Sequence, residues 1–85
     1  MINADNPVAW SQFLYELEDA KEHLANLITD LQNDSAYNEE QFRVDLGHVY
    51  AHLNRAWNTR NSESGATKEN CEILSKFPSN LKPVG

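Results

Sequence analysis

Apolar residues recur three and four positions apart at Trp10, Phe13, Leu17, Ala20, Leu24, Leu27 and Leu31. This is an a/d heptad seam, and it predicts one long amphipathic helix over about 7–33. A second stripe, at Phe42, Leu46, Val49, Leu53 and Ala56, predicts another helix over about 39–60. The boundaries have local causes. Asn6-Pro7 is a helix start, because Pro is tolerated where the first N–H has no partner. Asn38 followed by Gln41 reads as a capping box, Tyr37 and Phe42 as a hydrophobic staple across it, and Glu39 and Glu40 suit the positive end of the helix dipole.

The break between the helices, Asn33-Asp34-Ser35-Ala36, is short and polar. It forces the helices antiparallel. Trp10 and Trp57 then fall at the same open end of the hairpin, where they are expected to pack. Asn61–Gly65 reads as a linker. Thr67 is placed to cap a short third helix over about 68–76, with Pro78 stopping it. Residues 1–5 read as a frayed arm and 78–85 as an extended tail. The fold expected is all-α, with residues 1–77 a single domain formed by a long antiparallel hairpin and a short C-terminal helix.

Both long helices carry apolar faces wider than two helices can cover. A homodimer, two hairpins closing into a four-helix bundle, is the expected solution. Gly47 and Ala51, one turn apart with Val44 beside them, read as a second contact surface, because small residues let backbones approach closely.

Charge changes the picture at one point. The 85 residues carry a net charge of −6. An acidic body repels a phosphate backbone, so the expectation is a basic protein partner and no nucleic acid. Tyr15, Glu16, Asp19 and Glu22 are the surface expected to receive it. No apolar stretch is long enough to span a membrane. The first residues lack the pattern of a secretory leader. With a single cysteine, Cys71, the expected setting is cytoplasmic.

Candidate chemistry is sparse. His48 and His52 stand four apart on one helix face, with Asp45 a turn earlier, so the three are weak candidates for a metal site. His23 joins them only if it faces the same flank. The Glu of an HExxH motif is missing. Arg43-Val-Asp-Leu-Gly-His48 resembles, over these six residues, the Arg-x4-His motif of the HEPN domains, a helical ribonuclease class that pairs Arg and His across a dimer. The resemblance implies a nucleolytic use of Arg43 and His48, although positions five apart lie about 140° apart around a helix. No nucleophile elbow or glycine-rich phosphate loop occurs. The reading is therefore a non-enzymatic interaction or structural module with no cofactor. The alternative is a metal-binding or nucleolytic helical protein built on His48 and His52.

Overall fold

The computed structural model describes residues 1–63, 67 and 69–85. Among them the architecture is all-helical: α1 spans Pro7–Asn33, α2 Glu39–Asn58 and α3 Cys71–Leu74. The two long helices pack against each other as an antiparallel hairpin, and α3 packs on α2. Gly65 and Lys68, placed above in the linker and at the start of the third helix, lie outside the described residues.

The start of α2 forms as its residues dictate. The Asn38 side chain accepts from the Gln41 backbone N–H at 3.0 Å, and the Gln41 side chain accepts from the Asn38 N–H at 3.0 Å. Two otherwise orphaned donors are thereby satisfied. Tyr37 does more than pack, since its hydroxyl donates to Asp45 Oδ2 at 2.7 Å. Desolvation and the neighbouring Asp45 carboxylate push its pKa up to about 12. At α1, Pro7 occupies the first turn but Asn6 makes no side-chain cap. The third helix is a single turn. Just before it Thr67 Oγ1 accepts from the Asn70 N–H at 3.3 Å and Asn70 Oδ1 from the Thr67 N–H at 2.6 Å, while the N-cap position itself is held by Asn70, which makes no side-chain cap. Its backbone is held to α2 by Asn54, which donates to the Ser75 carbonyl, and by Asn58, which donates to the Leu74 carbonyl.

One expectation at the open end changes. The N-terminal arm is pinned: Ile2 is buried and its N–H donates to the Arg60 carbonyl at 2.7 Å. An apolar side chain there covers surface that two helix ends leave bare. Trp10 stacks on Phe13, while Trp57 lies under the Arg60 guanidinium and donates to Asn80.

The seam itself is displaced from the leucine stripe. The buried line of α1 is Ala9, Ala20 and Leu27, with Phe13, Glu16 and His23 half-buried between them. It meets Val49, His52 and Ala56 of α2. Ala9, Ala20 and Ala56 put small side chains in the seam, with Leu27 the one leucine of α1 buried among them, and small residues let backbones approach closely. Leu17, Leu24 and Leu31 are displaced to one flank, 38%, 42% and 50% exposed. Phe42 and Leu53 flank them from α2, at 38% and 41%. The hairpin thus has an apolar flank, a narrow seam and a polar flank. Nothing lies within 4 Å of a side chain built at Gly47. Val44 beside it is exposed.

Candidate metal centre

Three histidines meet across the polar side of the seam. Antiparallel pairing about the loop after Asn33 sets His23 opposite His48, Asp19 opposite His52 and Glu16 opposite Arg55. The rings of His23 and His48 lie 4.1 Å apart by centroid, and each lies 5.1 Å from the ring of His52. One nitrogen from each of the three falls within 4.8 Å of the others. His52 is buried, His23 half-buried and His48 open to solvent, so the cluster has both a dry wall and an entry path.

Beneath the cluster lies a polar network that orients it. Arg55 Nε donates to both carboxylate oxygens of Glu16 at 3.0 Å. One terminal nitrogen of Arg55 reaches Ser75 Oγ at 2.8 Å, tying the network to α3. His52 Nδ1 lies 2.7 Å from Glu16 Oε2 and 2.8 Å from the other terminal nitrogen of Arg55. One ring nitrogen cannot serve both. Donation from Nδ1–H to a carboxylate is a charge-assisted bond, and a bare Nδ1 facing that anion would set lone pair against lone pair. In the tautomer that donates Nδ1–H to Glu16, the lone pair is left on Nε2. That Nε2 is buried and has no hydrogen-bond partner. A carboxylate holding the far nitrogen of a histidine while the near one stays free is the outer arrangement of metal-ligating imidazoles.

Loss of hydration, then the charges of His23, His52 and Arg55, lower the pKa of His48, against an opposing pull from Asp19. A histidine with a depressed folded pKa binds fewer protons folded than unfolded, so its contribution is present above the unfolded value near 6.5 and lost as the pH falls from there through the lower folded value. The metal-free protein is accordingly expected to lose stability as the pH falls below about 6.5. Chemical denaturation followed by circular dichroism should show a smaller loss for His48→Gln than for the unsubstituted chain.

The residues anticipated from the sequence are divided by the fold. His48 and His52 come together, and His23 does face them. Asp45 is engaged by Tyr37 at the loop end. Arg43 is exposed and pairs with Glu40 at 3.4 Å, while His48 turns to His23. Of the proposed acidic surface, Tyr15 and Glu22 are exposed. Glu16 turns into the hairpin, and Asp19 stands 4.0 Å from His52 Nε2. The stripe-based reading assigned no role to Arg55 at this site and left Glu16 on a solvated face. The available signal was the alternative heptad through Ala9, Phe13, Glu16, Ala20, His23 and Leu27.

No protein-family model matches this chain, and no curated protein or solved structure does either.

Proposed function

We propose that this chain is a metal-binding helical module that holds a divalent transition-metal ion between α1 and α2 through His23, His48 and His52. One observation carries the reading: the buried, unpartnered Nε2 of His52, directed into a cluster of two further imidazoles. A buried polar atom without a partner costs about 1–3 kcal/mol, and a metal ion would remove that cost. Imidazole donors suit zinc, copper and nickel ions.

Titrating the metal-free protein with Zn²⁺ should load one ion per chain and raise the melting temperature. Free zinc at a hundred times the dissociation constant adds about 2.7 kcal/mol, or roughly 10 °C or more for a domain of this size. His23→Ala should remove the shift. An unchanged melting temperature, together with no heat of binding by calorimetry, would overturn the reading.

A second reading concerns assembly. The half-exposed leucine flank supports a homodimer in which two hairpins cover each other's apolar sides, with the metal centres on the outer, polar flanks. The metal would then act as a cross-brace within each hairpin, and the module's surfaces would be set by dimerisation.

A further inference from the structure

Resting on the metal reading above, we infer that Asp19 is the fourth ligand, so that the ion is held in a closed, four-coordinate site with two ligands from each helix. Asp19 and His23 stand four apart on α1, and His48 and His52 four apart on α2. Each pair therefore projects from one helix face at matching levels. Asp19 Oδ2 is the carboxylate oxygen facing the unpartnered Nε2 of His52, at 4.0 Å. That distance is too long for a hydrogen bond. A tetrahedral ion with bonds of about 2.0–2.1 Å sets its ligand atoms roughly 3.3 Å apart. Among the described residues the three histidine nitrogens converge within 4.8 Å without Asp19, so its carboxylate, 4.0 Å from His52 Nε2, has to swing inward when the ion binds.

The other carboxylates near the cluster are already committed. Both oxygens of Glu16 accept from Arg55, and Asp45 accepts from Tyr37. Asp19 accepts no hydrogen bond among the described residues. Its charge also offsets half of the ion's charge, which three neutral imidazoles leave untouched. Three nitrogens and one oxygen in a tetrahedron suit Zn²⁺. With all four positions filled by protein, no coordination site remains for a substrate or for an activated water. The metal therefore braces the two helices and does not hydrolyse.

Cobalt(II) as a spectroscopic stand-in for zinc tests the assignment. The protein loaded with Co²⁺ should show the intense visible bands of a four-coordinate ion, and added thiocyanate should leave them unchanged. Asp19→Ala should bind Zn²⁺ at least about tenfold more weakly, a loss on the scale of disturbing a metal's immediate surroundings. Its cobalt spectrum should respond to thiocyanate, which enters the vacated position. Asp45→Ala should match the unsubstituted chain in both measurements. If Asp19→Ala keeps full zinc affinity and the unsubstituted protein's cobalt spectrum already responds to thiocyanate, the site is an open three-histidine centre and the assignment of Asp19 fails alone. If the unsubstituted protein takes up neither Zn²⁺ nor Co²⁺, both readings fall together.

Discussion

Arg55→Ala is expected to destabilise the protein by about 3–5 kcal/mol, the cost of leaving one member of a largely buried ion pair behind. The pair is well enclosed, with side chains only 12% exposed at Arg55 and 16% at Glu16. Substitution removes both bonds to Glu16 and the bond to Ser75. The carboxylate would keep only His52, and α3 would lose one of its ties to the hairpin. A domain of this length has roughly 4–13 kcal/mol in total, at about 0.05–0.15 kcal/mol per residue. The substitution should therefore bring the chain close to half unfolding at modest urea concentrations. Urea titration followed by helical ellipticity measures this. A loss below about 1 kcal/mol is the value for a solvated pair, and it would remove the buried network from the account of the fold. Saturating zinc should restore part of the loss, because the ion binds only the folded arrangement of His23, His48 and His52.

That network also marks where the sequence was legible and where it was not. The helix limits follow from short-range chemistry. Pro7, the Asn38–Gln41 reciprocal cap and the polar loop between them act within four residues. They place α1 at Pro7–Asn33 and the start of α2 at Glu39. The same local rules reach too far at the ends, where the hydrogen-bonded helix stops at Asn58 and α3 contracts to Cys71–Leu74. Which stripe of α1 faces α2 is a different kind of question. Two heptad registers run along that helix. One is rich in leucine. The other mixes alanines with Phe13, Glu16, His23 and Leu27. Hydrophobicity alone selects the first.

The fold uses the second because a seam is chosen by mutual fit. Ala9, Ala20 and Ala56 are all buried, and small residues at these positions let the two helices approach closely. Glu16 can enter the seam only because Arg55 and His52 meet it there. Those partners sit 39 and 36 positions away, beyond the reach of any periodicity count. Asp45 illustrates the same limit from the other side. Its spacing to His48 is right for a ligand, but Tyr37, eight residues back, takes its carboxylate.

The displaced leucines lead to the other large effect. Leu27 is 3% exposed and Leu24 is 42% exposed, although both belong to the same leucine stripe. Leu27→Asp places a charge in the seam and should unfold the hairpin outright, since burying an unpaired charge costs several kcal/mol or more. Leu24→Asp places it on the flank, where a lone hairpin can leave it in water. In a monomer that change is nearly neutral. In a homodimer it sits inside the apolar contact, and the expected outcome is a protein of half the native mass by light scattering at tens of micromolar. Its helical ellipticity should largely persist, with a melting temperature that no longer depends on protein concentration. Zinc binding should survive, because the metal centre lies across the seam on the opposite flank. If the unsubstituted chain already runs as a monomer and Leu24→Asp changes neither mass nor melting, the flank has no second copy to cover it. The cross-brace through His23, His48 and His52 would then be what holds so small a core together, because below about 80 residues of packed structure a single apolar core rarely supplies more than 3–5 kcal/mol.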